Sequence, residues 1–311
     1  MDLLGGFCSS PAMSSTNPLY ICGSLASGKS ALAVSLAKEL GGEVVNGDVA
    51  QAFDGLGILS GAPTDWKKGD IAHHLYGVLK PTDICGPAAY RALAMPVIEH
   101  IQSRGKVPII VGGSGLYLKT LTHGASAMPE RDDALRASFE ERTIEDLAKE
   151  FSSLDPEGAA ASDLNNRHYV VRALEVCLVS GEKMSELKAE EARKFGEVSK
   201  NLRGLYLLWD DENTKQRISS RTMHILENGG IEEVKALRET AGETCRKTIG
   251  FSEVEQHLDG KLDLKECHKG FHTSTRRSSK RQRSWLKKEA WLETIQYPVA
   301  FDAKVGSFRE Q

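Results

Sequence analysis

The chain has 311 residues, of which 40% are hydrophobic and 27% are charged, and these are ordinary values for a globular protein. A chain of this length buries a sizeable core without disulfides or metals, so disorder, collagen-like repeats and coiled-coil rods are excluded as its main state. With 40 basic and 43 acidic residues the formal net charge is -3, which excludes a uniformly basic nucleic-acid coat but permits a local basic patch.

Residues 1–16 predict a flexible extension rather than a targeting segment. They begin with an acid, lack a positively charged region and contain only a short apolar stretch, unlike a signal peptide. No apolar run in the chain approaches the roughly 20 residues that a membrane-spanning helix needs. The six cysteines show no C-x-x-C spacing, which predicts reduced and mostly buried thiols. We therefore expect a soluble, cytoplasmic protein with no membrane partner.

Strand and helix patterns alternate through the first part of the chain. Short apolar runs predict buried strands at Leu19–Cys22, Glu43–Asn46 and Val107–Val111. Apolar residues at helical spacing predict helices at Ser30–Leu40 and Tyr90–Ser103. This alternation is typical of an α/β fold, in which helices cover both faces of a parallel sheet.

The pattern changes near residue 123. The stretch Met128–Glu157 has 10 acidic and 4 basic residues and no strand-like run, and helical periodicity continues to about residue 200. A buried strand returns at Leu205–Trp209, followed by further helices. We therefore predict a discontinuous core domain, formed by 17–122 and 203–311, with an all-helical insertion domain at 123–202.

A phosphate-binding loop is predicted between the first strand and the first helix. The eight residues from Gly23 to Ser30 match the motif G-x-x-x-x-G-K-[ST]. In a loop between a strand and a helix, the backbone N–H groups of this motif and the helix N-terminus bind phosphate. Lys29 is expected to reach the terminal phosphates, and the Ser30 hydroxyl is the expected Mg²⁺ ligand. The motif indicates a P-loop NTPase-like core, although a glycine-rich turn without ligand is the alternative. The residues predicted to hold the phosphates are Gly23, Ser24, Leu25, Ala26, Ser27, Gly28, Lys29 and Ser30.

Three further groups are candidates at the same edge of the sheet. Asp48 follows the second predicted strand and could orient a nucleophile or accept its proton, or it could simply cap a helix. Ser114 lies in a run of glycines after the third strand, which a plain tight turn would explain equally well. Arg217 and Arg221 share one helical face and could clamp a diphosphate, or they could form a solvated basic face.

A basic segment lies towards the C-terminus. Residues 246–291 contain 12 basic and 6 acidic residues, and Arg276–Lys288 contains seven basic residues and no acid. The residues that fall on one face at helical spacing are Arg276, Lys280, Arg283 and Lys287. This bias predicts contact with a phosphate backbone, and a solvated charged face is the alternative.

Nine segments, in chain order, resemble the tRNA dimethylallyltransferase family, which is also called the tRNA isopentenyltransferase family. The resemblance extends from about Pro18 to Trp291. Each segment is modest alone, but nine in the right order are specific. The segments are GSLASGKS, DVAQ, GLGILSGAPT, HHL, VPIIVGGSGLYLKTL, RALEV followed by SG, RISSR, TIGFSE and KRQRSW.

The resemblance implies transfer of a dimethylallyl group from dimethylallyl diphosphate to N6 of the adenosine that follows a tRNA anticodon. It implies that Asp48 is the general base, Ser114 a hydroxyl near the diphosphate, and Arg217 or Arg221 the arginine that stabilises the leaving diphosphate. It implies Mg²⁺ as cofactor and the anticodon stem-loop as partner, and we expect the protein to be a monomer. The residues expected to contact tRNA are Asp48, Val49, Ala50, Gln51, Arg167, Arg172, Arg246, Lys280, Arg281, Gln282 and Arg283.

The sequence departs from the family pattern at several positions, among them Leu25, Val49 and Tyr169. The acid, the lysine and the glycines remain, so we expect activity. Three alternatives stay open at this point. They are an adenylate prenyltransferase that acts on free AMP, ADP or ATP, a small-molecule P-loop kinase, and an inactive RNA-binding relative.

Overall fold

The six strands of the described residues form a single parallel sheet. The computed structural model describes residues 16–63, 69–124, 126 and 128–297. Across the sheet the strand order is β3-β2-β4-β1-β5-β6, and all neighbouring strands within the described residues pair in parallel. The α/β fold with a parallel sheet, predicted from the sequence, is confirmed. The strands are β1 (Leu19–Gly23), β2 (Glu43–Asn46), β3 (His73–His74), β4 (Pro108–Gly112), β5 (Arg203–Trp209) and β6 (Leu292–Tyr297).

Helices account for most of the remaining described chain. A single 3₁₀ turn, Val49–Ala52, follows β2, and a kinked segment, Leu226–Gly230, whose backbone is non-helical at Asn228 and Gly229, joins two of the helices. The helices are α1 (Lys29–Leu40), α2 (Gly57–Ser60), α3 (Pro87–Ser103), α4 (Gly115–His123), α5 (Asp133–Ala137), α6 (Ile144–Leu154), α7 (Pro156–Ala160), α8 (Arg167–Ser180), α9 (Met184–Ser199), α10 (Asp211–Ile225), α11 (Ile231–Leu237), α12 (Glu243–Arg246), α13 (Phe251–Leu258) and α14 (Leu264–Leu286).

Both faces of the sheet are buried, which explains why its strands are continuous apolar runs. Side chains alternate along a strand, so the neighbours Ile21 and Cys22 enter opposite cores. Helix α1 covers one core through Leu36, and α3 and α4 cover the other through Tyr90 and Leu118. The C-terminal ends of the strands, where the predicted phosphate loop begins, therefore form an edge at which ligands of such sheets bind.

The chain divides into two compact units. One comprises Met1–Gly124 and Leu202–Gln311, and it contains the sheet. The other is Ala125–Asn201, and its described residues contain helices and no strand. The second unit has its own apolar core, formed largely by α6 and α8. Its buried members include Leu147, Phe151, Val170, Ala173 and Leu174.

A buried carboxylate organises the second unit. Glu175 has no exposed side-chain surface, and its carboxylate accepts hydrogen bonds from Arg136, at 2.8 Å and 2.9 Å, and from Arg172, at 2.6 Å. The backbone N–H of Asp132 donates a further bond of 2.8 Å. Burial alone would raise the pKa of Glu175, but these partners lower it to about 2. The acid is therefore charged and fully paired, as a buried ion must be.

Most elements predicted from the sequence are present within two or three residues of their expected ends, including the strand Glu43–Asn46. Strands β3 and β6 were not predicted. The extension at 1–16 lies outside the described residues except for Thr16. No helix among the described residues is long and apolar enough to cross a bilayer. Within the same residues the five cysteines are buried and unpaired, as expected, whereas Cys8 lies outside them.

Candidate phosphate and acceptor site

The predicted phosphate loop joins β1 to α1 with the backbone geometry that the motif requires. Gly28 precedes the helix at a φ of 90°, a conformation that favours glycine. A Cβ on Gly23 would lie 2.6 Å from Ser27 Oγ and 3.1 Å from the Leu207 carbonyl, so no larger residue fits there without rearrangement. Lys29 folds back over the loop, and its Nζ donates to the Ser24 carbonyl at 2.8 Å. The ammonium group is thus held over the predicted phosphate loop.

A cavity of about 680 Å³ opens over this loop. Its wall includes Asp48 from the end of β2 and two arginines, Arg217 and Arg221, from α10. The structure therefore brings together most of the residues predicted to hold a diphosphate. The predicted site residues in its wall are Leu25, Ala26, Ser27, Gly28, Lys29, Ser30, Asp48, Gln51, Arg217, Arg221 and Gln282.

Asp48 is fixed by its neighbours in a position between the loop and the arginines. Its backbone N–H donates to Asn46 Oδ1 at 2.9 Å, and its Oδ1 accepts from the Ala50 N–H at 3.1 Å. It therefore caps the 3₁₀ turn, as the alternative proposed, while its carboxylate also lines the cavity. Burial raises the pKa of Asp48, opposed by the Ala50 N–H and by the charges of Lys29 and Arg221. A carboxylate with a raised pKa is a stronger proton acceptor.

The cationic side of the cavity is crowded. Burial and the nearby charge of Arg221 lower the pKa of Lys29 to about 8, although Asp48 and Cys22 act in the opposite direction. Burial also lowers the pKa of Arg221. Cations held close together out of water are electrostatically costly, and an anion between them relieves that cost. The cavity is therefore prepared for a polyanion such as a diphosphate.

The two arginines of α10 have different surroundings. Arg217 is exposed, its Nε donates to the Ala26 carbonyl of the loop at 2.8 Å, and its guanidinium lies 4.3 Å from the ring centroid of Trp209. Arg221 is partly buried and donates to the carbonyls of Ser60, at 3.4 Å, and Gly61, at 3.2 Å. Only Arg221 also lines the neighbouring cavity described next.

A second cavity, of about 320 Å³, adjoins the first. The two share Leu25, Asp48, Arg221 and Gln282 in their walls. The second is more apolar because side chains such as Leu59, Ile225 and Phe271 line it, and such a wall suits a planar or hydrocarbon group. Asp48 thus stands where a polar cavity and an apolar cavity meet. Predicted site residues found only in the second are Val49, Ala50, Ser114 and Arg281.

Ser114 is placed differently from its expected role. Its side chain makes no capping bond at the start of α4, and it lines the apolar cavity rather than the cavity over the phosphate loop. A hydroxyl position beside the diphosphate is therefore not supported by the placement of Ser114. Whether it contacts substrate stays a prediction.

Helix α14 packs its C-terminal half against the phosphate-loop region. Gln282 Oε1 accepts the backbone N–H of Leu25 at 3.1 Å. The helix approaches closely because of two glycines: a Cβ on Gly113 would lie 3.0 Å from Gln282 Nε2, and one on Gly115 would lie 2.5 Å from the ring of Trp285. The predicted basic helix therefore reaches the site itself, through Gln282 at both cavities and Arg281 at the second.

The basic residues of α14 surround a groove of about 520 Å³ between α10 and α14. One acid, Asp211, also lines it and pairs with Arg283. The buried hydroxyl of Ser279, in the same wall, has no hydrogen-bond partner among the described residues. Lys280 and Arg281 are exposed. The basic side chains of the groove are Lys215, Arg276, Arg277, Lys280, Arg283 and Lys287.

Three arginines predicted to contact tRNA are held by protein groups. Arg167 donates to the carbonyls of Phe139, at 2.6 Å, and Arg142, at 2.8 Å. Arg172 donates to Glu175 and to the Pro129 carbonyl, and Arg246 pairs with Glu255 and donates to two backbone carbonyls. None of the three lines either cavity at the phosphate loop. These contacts describe structural arginines, and tRNA contact by them stays a prediction.

Sequence reasoning missed several residues of the site. Trp209, whose indole Nε1 donates to the Ser27 carbonyl at 3.0 Å, was identified only as the end of a strand. Gln216 and Ser220 line the first cavity on the same helical face as the two arginines. The spacing of Ser220 from Arg217 was a usable signal, because residues three or four positions apart share a helix face, whereas Gln216, next to Arg217, carried no such signal.

Comparison with known proteins identifies the family. A family model described as IPP transferase matches residues 51–289, which is most of the chain. The chain belongs to the IPP transferase family. The chain is 36% identical over 277 residues to a tRNA dimethylallyltransferase from Akkermansia muciniphila, covering 89% of the chain and 92% of that relative. It is 36% identical to a tRNA dimethylallyltransferase from Geobacter sulfurreducens, covering 94% and 96% of the two chains.

Solved structures of the family share the fold. The tRNA isopentenylpyrophosphate transferase of Bacillus halodurans is 29% identical, with a TM-score of 0.66 over 95% of each chain. A eukaryotic dimethylallyltransferase, described as acting on tRNA, is 26% identical with a TM-score of 0.72, covering 94% of the present chain and 77% of that chain. The resemblance suggested by the nine sequence segments is therefore confirmed at the level of the family and the fold.

Proposed function

We propose that this protein is a tRNA dimethylallyltransferase, which transfers a dimethylallyl group from dimethylallyl diphosphate to tRNA. The observation that carries the proposal is the position of Asp48, where a cationic cavity over the phosphate loop meets an apolar cavity. A diphosphate suits the first cavity and a base taken out of its stack suits the second. Similarity to tRNA dimethylallyltransferases over most of the chain supports the same activity.

In this proposal the acceptor is N6 of the adenosine that follows the anticodon. The amine nitrogen forms a bond to the allylic carbon, the carbon–oxygen bond to diphosphate breaks, and both bonding electrons leave with the diphosphate. Asp48 accepts the proton that the amine loses. Gln51, whose Nε2 lies 3.4 Å from the Gly61 carbonyl, is assigned to the adenine. A positioned general base contributes about 10²- to 10⁴-fold to such a step.

The leaving diphosphate gains charge as the bond breaks, and the cationic side of the cavity would stabilise it. The loop N–H groups, Lys29 and the arginines of α10 are fixed donors, so little reorganisation is needed in the transition state. We assign Arg221 to the diphosphate because it is partly buried and lines both cavities. Arg217, which bonds the loop from outside, is assigned to the same anion from its exposed side.

The donor set of the site fits a Mg²⁺ ion that takes most of its ligands from the substrate. Ser30 lines the cavity beside Lys29, and a hydroxyl at this position suits a hard cation. Among the described residues no three His, Cys, Asp or Glu side chains converge as a metal site. Ser30 is therefore the proposed protein ligand, and diphosphate oxygens and water would complete the shell. The ion, when bound, would supply charge neutralisation of the diphosphate.

The groove between α10 and α14 is the proposed contact for the RNA backbone. Six basic side chains and one acid line it, and phosphates favour such a surface. Lys280, Arg281 and Arg283 are assigned to the phosphates of the anticodon stem-loop, and Gln282 to the entrance of the site. The helical insertion, predicted at 123–202, is assigned to the same stem. A monomeric state and a cytoplasmic location remain predictions from the sequence.

Transfer of label separates this proposal from its alternatives. Purified protein receives labelled dimethylallyl diphosphate with tRNA, with AMP or with no acceptor. We expect label on tRNA alone. Label on AMP would identify an adenylate prenyltransferase instead, and consumption of ATP without prenyl transfer would identify a kinase. A protein that binds tRNA but transfers no label to any acceptor would be the inactive relative.

A further inference from the structure

The single-turn helix α2 connects the diphosphate side of the site to α11, a helix that lines neither cavity. Its residues, Gly57–Ser60, are followed by Gly61, which ends the turn at a φ of 65°. An isolated turn of four residues is not stable on its own, because the conformational entropy lost in forming the first turn of a helix exceeds the stabilisation from its hydrogen bonds. Its position must therefore be set by contacts with other parts of the fold.

Glu233, in the first turn of α11, makes those contacts at one end of α2. Its Oε1 accepts the Ile58 N–H at 2.8 Å, and its Oε2 accepts the Leu59 N–H at 2.7 Å. Both carboxylate oxygens are therefore bonded to consecutive backbone groups, which fixes the turn in translation and rotation. Hydrogen bonds to a charged acceptor are about twice as strong as neutral ones.

The other end of α2 contacts Arg221. The carbonyls of Ser60 and Gly61 accept from Arg221 Nη2 at 3.4 Å and 3.2 Å, and the Gly61 carbonyl also lies 3.4 Å from Gln51 Nε2. The approach is so close that a Cβ on Gly61 would lie 1.7 Å from Arg221 Nη2. The guanidinium has five N–H donors, so donors remain for an anion in the cavity.

We propose that Glu233 is a positioning residue for the transfer reaction, which holds α2 so that its last carbonyls aim the guanidinium of Arg221 at the diphosphate. The inference rests on the proposed function, in which Arg221 binds that diphosphate. Glu233 lines neither cavity and touches no reacting atom. Its effect is therefore expected on the binding of the diphosphate by Arg221, and not on the affinity for the tRNA backbone, which the groove between α10 and α14 is proposed to contact.

Glu233→Gln tests the inference directly, with Glu232→Gln as the matched control. The glutamine side chain keeps one oxygen that can accept from an N–H group of α2. Its NH₂ group replaces the other oxygen and cannot accept from the second N–H, so one of the two hydrogen bonds to α2 is lost. We expect kcat/KM for dimethylallyl diphosphate to fall about tenfold, while the dissociation constant for tRNA, measured without diphosphate substrate, stays unchanged. Glu232 is exposed on the same turn, and its substitution removes the same charge without touching α2, so it should have no effect.

A double-mutant cycle shows whether Glu233 acts through Arg221. In the Arg221→Lys background, Glu233→Gln should have little further effect, because the aimed group is already absent. Gly61→Ala should reproduce the loss, since its Cβ would displace the end of Arg221 and its φ of 65° would strain the turn that carries the two carbonyls. If the fold-losses in kcat/KM of Glu233→Gln and Arg221→Lys multiply in the double variant, the two residues act independently and the inference is wrong.

Competition by inorganic diphosphate separates this inference from the proposed function. A wild-type protein that binds diphosphate but transfers no label to tRNA would refute the proposed function. Weaker diphosphate binding by Glu233→Gln than by Glu232→Gln would still support the positioning role in that case. If wild type transfers label and the two glutamine variants behave alike, the positioning role is wrong while the proposed function stands.

Discussion

Titration of Lys29 should limit the reaction on the alkaline side. Its pKa is lowered to about 8 by burial and by the charge of Arg221. Only the protonated ammonium attracts the diphosphate, so activity falls as the pH rises through that value. With a pKa of about 8, roughly nine-tenths of the free enzyme is protonated at pH 7 and roughly one-tenth at pH 9. We therefore expect kcat/KM for dimethylallyl diphosphate to fall about tenfold between these pH values.

The assay is initial-rate prenyl transfer at several pH values, at low diphosphate substrate and saturating tRNA. Lys29→Arg is the control variant, because arginine stays charged throughout this range and should lose the alkaline limb, whatever its absolute rate. Burial raises the pKa of the nearby Cys22 thiol to about 12, so that thiol does not titrate here. A flat profile in the wild type, or a limb retained in Lys29→Arg, would refute the assignment of Lys29.

Three other changes probe separate parts of the protein. Asp48→Asn should cut transfer about 10²- to 10⁴-fold while tRNA binding persists; near-normal single-turnover rates would exclude Asp48 as the base. Lys280→Glu should weaken tRNA binding and reduce by about one the slope of log affinity against log salt concentration, measured by filter binding. The same change at Lys265, at the far end of α14, should leave that slope unchanged. Equal slopes for the two variants would argue against RNA contact in the groove. Glu175→Ala should lower the free energy of unfolding by about 3–5 kcal/mol, because Arg136 and Arg172 lose their buried partner; a urea midpoint equal to the wild type would contradict that account.

Local features of the site were predictable from the sequence. The strand, loop and helix around Gly23–Ser30 are each predicted from residues that follow one another in the sequence. The position of Asp48 follows from its place just past a predicted strand. Parallel strands bring such ends to one edge, so proximity of the loop and Asp48 required no knowledge of tertiary contacts. The glycine at the start of α1 was similarly predictable, because its conformation is a property of the turn alone.

Long-range contacts were not predictable in the same way. The bond between Leu25 and Gln282 joins residues 257 positions apart, and nothing in either neighbourhood specifies it. The predicted tRNA contacts of Arg167 and Arg246 illustrate the reverse problem. An arginine in a sequence carries five donors, and only the fold shows whether carbonyls and carboxylates of the protein already accept from them.

The contacts of Trp209 make the phosphate loop optically observable. Its indole donates to the Ser27 carbonyl and lies under the guanidinium of Arg217, so both its hydrogen bond and its cationic neighbour belong to the loop region. Indole emission depends on the polarity and charge of its surroundings. An anion that enters the loop and draws Arg217 towards it alters both. Occupancy of the site is thus expected to register in the intrinsic fluorescence of the protein, without any label on substrate or enzyme.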